Sequence, residues 1–279
     1  MHGLGNDYIL VDGTRDGWQG VADLPGLARA ISDRHLGVGS DGLILILPGR
    51  DHPFRMRMFN ADGSEGEMCG NGIRCFARYL YDYGLSKDRR QVIETKAGLI
   101  VTELVGDLVR VDMGEPRFER GQIPMTGPET AQVIEEQMAT QGVAYRCTAV
   151  SMGNPHCVTF VDDISAVPLD QHGPLFEWHP AFPNRTNVEF VQVNNRYELT
   201  MRVWERGSGI TMACGTGACA ALVAAVRTGR CEREAVVHLD GGDLQIVWDK
   251  DEHVFMTGPA TVICDGFFYL PGRERQRSV

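Results

Sequence analysis

Cys69-Gly70-Asn71-Gly72 and Cys214-Gly215-Thr216-Gly217 are one short phrase written twice, 145 residues apart. The same offset carries Gly84 onto Gly229, Leu99 onto Leu244 and Asn60 onto Glu205. The openings of the two halves correspond as well. Gly5-Asn6-Asp7-Tyr8 leads into an apolar strand ending at Asp12, and Gly153-Asn154-Pro155-His156 leads into another ending at Asp162. Met113-Gly114-Glu115-Pro116 is echoed by Met256-Thr257-Gly258-Pro259. Ordered matches at offsets clustered around 145 residues mark an internal duplication, so the chain reads as two homologous halves.

Each half alternates short strands rich in Val, Ile and Phe with Gly, Asp and Asn turns. Strands are expected at 43–47, 92–95, 99–104, 108–113, 157–161, 188–193, 199–204 and 244–248. One helix follows each Cys-Gly-x-Gly. In the first, Ile73, Phe76, Ala77 and Leu80 recur at helical spacing. The second, 218–226, is apolar on every side and should be buried. Both stop at a glycine, Gly84 or Gly229, the residue favoured just past a helix C-terminus. Further helices are expected at 24–34 and 129–141, and a last apolar strand at 261–270 returning to the first half; the tail from Gly272 is polar and expected to fray. The predicted class is α+β: two pseudo-symmetric units, each a curved, mostly antiparallel sheet or barrel around a central helix. The first unit comprises 1–116 plus 261–279 and the second 117–260, linked by the polar stretch 117–121.

Composition narrows the function. The chain has 279 residues and a formal net charge of −10, which argues against nucleic-acid binding, a function that needs a basic stripe. Eight cysteines in this length are too sparse for a disulfide scaffold. No segment reads as a signal peptide or membrane span, so a cytoplasmic protein with reduced thiols is expected. Glycine is the excess residue, 33 of 279, about 12 % where about 7 % is usual. It is clumped around the repeated phrases. No Cys-x-x-Cys spacing suggests zinc. Gly37–Gly42 spells a dinucleotide-binding pattern, yet it follows a helix and precedes a strand, the reverse of the required context. The few lysines, Lys87, Lys96 and Lys250, sit in no Gly-rich setting suited to a Schiff base. Neither a metal nor a cofactor is expected.

The duplicated phrase places a cysteine at each helix start. Unpaired amides and the helix dipole there favour negative charge, so each thiol is expected to have a lowered pKa. Two such helix ends brought together by pseudo-symmetry would hold one carboxylate between them, with a thiol on either face of its α-carbon. That arrangement suits racemisation, one thiolate removing a proton and the opposite thiol supplying another. Cys75, Cys147, Cys157, Cys219, Cys231 and Cys264 are read as packing residues. Glu205-Arg206, a vicinal acid and base at a strand end, stands just before the second phrase. A working Cys69–Cys214 disulfide and a non-catalytic amino-acid-binding protein are the competing classes.

Six stretches resemble the diaminopimelate epimerase family: MHGLGNDYILVDG (1–13), RHLGVGSDGL (34–43), FNADGSEGEMCGNGIRCFARYL (59–80), SMGNPHCVTFVDD (151–163), RTNVEFVQV (185–193) and WERGSGITMACGTGACA (204–220). The resemblance implies cofactor-independent interconversion of LL- and meso-diaminopimelate, with Cys69 and Cys214 as the acid/base thiols. It implies that the amides of Gly70, Asn71, Gly215 and Thr216 hold the reacting carboxylate. It assigns Asn6, Asn60, Asn154, Asn187, Glu205 and Arg206 to substrate binding, Arg206 at the distal carboxylate and Glu205 at the distal ammonium. His156 and Glu205 would tune the thiols. A homodimer is also implied. Proline and hydroxyproline racemases share the two-thiol plan, but a proline pocket has no use for Glu205 and Arg206. The chain departs from some relatives in having Gly42 where they carry a substrate-contacting Gln, and in starting at the Met-x-Gly-x-Gly-Asn motif rather than a few residues before it.

Overall fold

The computed structural model describes residues 1–14 and 21–269. The first half runs through β1 (His2–Gly3), β2 (Asn6–Asp12), α1 (Leu24–Ser32), β3 (Gly42–Pro48), β4 (Phe54–Asn60), β5 (Glu65–Gly66), α2 (Gly70–Asp82), β6 (Arg90–Thr95), β7 (Gly98–Val105) and β8 (Leu108–Asp112). The second runs through β9 (Glu136–Thr140), β10 (Val143–Ser151), β11 (Pro155–Phe160), α3 (Leu169–Glu177), β12 (Asn187–Asn195), β13 (Glu198–Glu205), β14 (Gly209–Ile210), α4 (Gly215–Arg227), β15 (Glu234–Leu239), β16 (Gly242–Trp248) and β17 (Val254–Pro259).

The duplication is plain in the strand pairing. β2 runs parallel to β3, β3 antiparallel to β4, β4 parallel to β6, and β6, β7 and β8 form an antiparallel meander. The same set recurs with β11, β12, β13, β15, β16 and β17. The two sets join where β8 pairs antiparallel with β17, Asp112 opposite Phe255 and Leu108 opposite Pro259. The result is a sheet-dominated α+β fold with α2 and α4 at corresponding places in the two halves.

Packing follows the sequence pattern. Ile73, Phe76, Ala77 and Leu80 of α2 are buried, as their spacing predicts, and α4 is buried from Gly217 through Ala225. Gly84 and Gly229 take φ of 72° and 73°, left-handed values that end a helix without a Cβ clash. Both helices lie in one continuous apolar cluster that also takes in Ile44, Val111, Val191, Met201, Leu244 and Met256. Burying a side chain such as Phe76 contributes about 1.5–3 kcal/mol relative to leaving it in water. No helix among the described residues is long and apolar enough to cross a membrane.

Four expectations are corrected. The helix at 24–34 is shorter, because Asp23 caps its start by accepting from the Gly26 amide and Asp33 already has extended backbone. No helix forms at 129–141. Gln141 and Gly142 both have positive φ, the geometry of a tight two-residue hairpin turn, and β9 pairs there with β10 from Thr140 opposite Val143 to Glu136 opposite Cys147. Cross-strand pairing thus overrides the helix propensity of Glu, Gln, Met and Ala. The strand at 261–270 reduces to one bridge, Thr261 with His2. The segment still returns to the first half, where Tyr83 donates to Asp265 and Phe268 packs on the cluster containing Leu27 and Leu43, but Phe267 is 96 % exposed. Leu270 and the tail from Gly272 lie outside the described residues. Cys264 is exposed, not a packing residue; Cys75, Cys147, Cys157, Cys219 and Cys231 are buried. The sequence also gave no sign of α3, a helix carrying Gly173 and Pro174 that is held by burial of Leu169 and Phe176.

Candidate active site

Cys69 and Cys214 are the N-cap residues of α2 and α4, each in extended backbone. The two helix starts abut. A Cβ built on Gly70 would lie 3.7 Å from Gly215 Cα, and one built on Gly215 would lie 3.6 Å from Gly70 Cα and 2.9 Å from Met256 Sδ. A Cβ at either position would already touch the opposite helix and would press on the Met256 side chain, so the glycines let the two helix starts lie close together. Two sets of first-turn amides and two positive helix ends therefore share one locality.

A hydrogen-bonded network surrounds each thiol. Tyr8 Oη donates to Cys69 Sγ at 3.2 Å, and Cys69 Sγ lies 3.5 Å from Asn6 Oδ1. Asn71 Nδ2 donates to Asn6 Oδ1 at 3.2 Å and to the Ala213 carbonyl at 3.0 Å, crossing between halves. Asn6 Nδ2 in turn donates to Asp41, which Arg34 binds together with Asp7. Around Cys214, the Gly217 amide donates to Sγ at 3.4 Å and Thr216 Oγ1 lies 3.6 Å away. Asn154 Nδ2 donates to Thr216 Oγ1 at 3.2 Å. His156 Nε2 is 3.0 Å from Asn154 Oδ1, and its Nδ1 is 2.6 Å from Glu189 Oε1. The bonds Asn6–Asn71 and Asn154–Thr216 occupy equivalent places in the two halves.

Residues 1–119 and 148–263 match the diaminopimelate epimerase family. The chain belongs to that family. It is 57 % identical over 270 residues to the diaminopimelate epimerase of Pelotomaculum thermopropionicum, covering 95 % of this chain and 96 % of that one. In fold it resembles a phenazine biosynthesis protein of the PhzF family from Enterococcus faecalis (TM-score 0.66, 13 % identity, 95 % and 94 % of the two chains). It also resembles a probable proline racemase from Agrobacterium radiobacter (TM-score 0.64, 16 % identity, 95 % and 92 %).

In this member of the diaminopimelate epimerase family the expected lowering of the thiol pKa values is reversed. Burial pushes the Cys69 thiol up and the Glu205 carboxylate adds to the rise; the Tyr8 phenol and the Gly72 and Asn71 amides oppose it. Cys214, 4 % exposed, is pushed well above the ordinary thiol range by burial and then by Glu205 and Glu189, against the Thr216 hydroxyl and the Gly217 amide. Desolvation of a thiolate outweighs the helix-end amides. Burial likewise raises Glu205, aided by Glu189 and opposed by the Thr211 hydroxyl, His156 and Cys214.

The remaining sequence-chosen residues are spread more widely. Asn187 donates to the Pro155 carbonyl at 2.9 Å and accepts from the Arg206 amide at 2.9 Å, tying the loop after β13 to β11. The Arg206 guanidinium is exposed and donates to the Asn184 carbonyl. Asn60 stands at the end of β4, opposite Gly42, and donates to Ser64. Two site residues escaped the sequence reading. Tyr8 is separated from Cys69 by 61 residues, and its signal was its correspondence with His156 in the repeat. Glu189 is a fully buried carboxylate within the apolar β12; an acid amid Val188, Phe190 and Val191 was the available sign. Among the described residues no three His, Cys, Asp or Glu side chains gather as a metal-ligand set.

Proposed function

We propose that this protein interconverts LL- and meso-2,6-diaminopimelate by a two-thiol mechanism that uses no cofactor. The observation that carries this reading is the pair of N-cap cysteines on helices whose first residues touch. The reacting carboxylate would accept from the amides of Gly70, Asn71, Gly215 and Thr216. One thiolate takes the α-hydrogen as a proton, the electron pair passes into the carboxylate, and the opposite thiol returns a proton from the other face. Oriented donors to the developing oxyanion and the positioned acid/base groups are each worth about 10²–10⁴-fold in rate. Arg206 would bind the distal carboxylate and Glu205 the distal ammonium, with Asn6, Asn60, Asn154 and Asn187 completing the hydrogen bonds and His156 tuning Cys214. In this reading the reaction serves lysine and peptidoglycan precursor synthesis.

The test is incubation of LL-diaminopimelate with the protein in D₂O without added cofactor, followed by mass and stereochemical analysis. Deuterium at the α-carbon with formation of the meso isomer is expected. Binding without exchange, or turnover of proline alone, overturns the reading. A Cys69–Cys214 disulfide should also silence the enzyme and a reductant restore it; an oxidised sample with full activity contradicts the thiol roles. Dependence on reduced thiols fits a cytoplasmic setting. We take the active form to be a homodimer, for which the exposed Ile263, Phe267 and Tyr269 offer apolar surface. The two units are taken as 1–116 with 261–279, and 117–260; the recurrence of one pairing set on either side of the connector supports that division.

A further inference from the structure

We propose that Tyr8 is a catalytic residue: its hydroxyl is the hydrogen-bond donor that orients the Cys69 sulfur and stabilises it as a thiolate. The proposal rests on the two-thiol reading above and adds to it a group that touches a reacting atom.

Geometry carries the proposal. Tyr8 Oη lies 3.2 Å from Cys69 Sγ, and the ring is anchored in the main apolar cluster with 5 % exposure. A hydrogen bond to an ionised acceptor is worth more than one to the neutral thiol, so the contact favours the thiolate. The phenol stays protonated through the cycle, because burial and the neighbouring Cys69 hold its pKa well above the ordinary tyrosine value. It transfers no proton and remains a fixed donor.

The duplication supplies an independent argument. Tyr8 and His156 are each the third residue after the glycine that opens their half. Tyr8 stands opposite Gly42 in the parallel pairing of β2 with β3, and His156 stands opposite Asn187 in the parallel pairing of β11 with β12. Gly42 and Asn187 are themselves 145 residues apart, the offset of the repeat. The fold therefore delivers one side chain from the same position in each half towards the corresponding thiol network. On the Cys214 side it is an imidazole backed by a carboxylate, Glu189; on the Cys69 side it is a phenol.

The two thiols consequently differ. Cys69 faces Tyr8 and Asn6 from the β2 strand, Arg74 and Cys75 from its own helix and Glu205 from the end of β13, with Asp41 beyond Tyr8. Cys214 faces Glu205 and Glu189, with the Thr216 hydroxyl and the Gly217 amide beside its sulfur. The Tyr8 phenol thus favours the thiolate at Cys69, whereas Glu205 and Glu189 disfavour it at Cys214.

Tyr8→Phe removes one oxygen and keeps the packed ring. Alkylation of the full-length protein by iodoacetamide across a pH series, with peptide mapping to separate the sites, reads Cys69 and Cys214 individually. In Tyr8→Phe the Cys69 midpoint should rise by about one pH unit while the Cys214 midpoint stays in place. The acid limb of kcat/KM should move with Cys69, giving about a tenfold loss at neutral pH. An unmoved Cys69 midpoint in Tyr8→Phe, alongside an inactive Cys69→Ala, overturns the proposal and leaves the two-thiol reading standing. A Cys69→Ala enzyme with full epimerisation overturns that reading and the proposal together.

Discussion

Replacing either Cys69 or Cys214 by alanine lowers epimerisation on the order of 10²–10⁴-fold, the range expected when a positioned acid or base is removed. The two substitutions should be similar in size, because each cycle needs one thiol as base and the other as acid. They should differ in what survives. A variant with one thiol can still exchange the α-hydrogen on the face that thiol occupies, returning deuterium with retention. Following D₂O incorporation separately from the LL and meso substrates therefore assigns each thiol to a face. Full epimerisation in either alanine variant would contradict the mechanism. Neither substitution should unfold the protein: in neither case is a buried charge left without its partner.

The second large effect is on stability. His156→Leu leaves the Glu189 carboxylate in the core without the imidazole. His156 and Glu189 are both fully buried, 2.6 Å apart, and Glu189 Oε2 has no hydrogen-bond partner among the described residues. Removing one member of such a buried pair costs about 3–5 kcal/mol, whereas replacing both by apolar side chains is often neutral. The single variant should lose most of its urea midpoint, and His156→Leu with Glu189→Leu should regain much of it. If the double variant is as unstable as the single, the cost lies in packing and not in the stranded carboxylate. Activity should stay low in both, since the Asn154–Thr216 link to Cys214 loses its support in each.

These outcomes depend on features that differ in how far the sequence reveals them. The α2 and α4 helices were legible because their causes are local: an apolar period, a cysteine-glycine start and a terminal glycine lie within a few residues of one another. The 129–141 region was misread because its helix-forming composition is opposed by Gln141-Gly142, a turn that acts only when β10 is present to pair with. The lowered thiol pKa was a reasonable local expectation for an N-cap cysteine. It failed because the deciding influence was burial, reinforced at Cys214 by carboxylates from β12 and β13. Tyr8 and Glu189 were missed for the same reason, as their partners lie 61 and 33 residues away.

The amino-acid sequence by itself determined the duplication, the two helix-starting cysteines and the resemblance to one epimerase family. These are written in residue order and need no knowledge of what packs on what. Only the tertiary structure decided that the two helix starts touch at Gly70 and Gly215, that a phenol donates to Cys69 while the equivalent His156 pairs with the buried Glu189 and reaches Asn154, and that both thiols are held above their ordinary ionisation range. The physical reason is that desolvation and hydrogen-bond geometry depend on atoms brought together from distant parts of the chain, whereas helix capping and periodicity depend on neighbours in sequence.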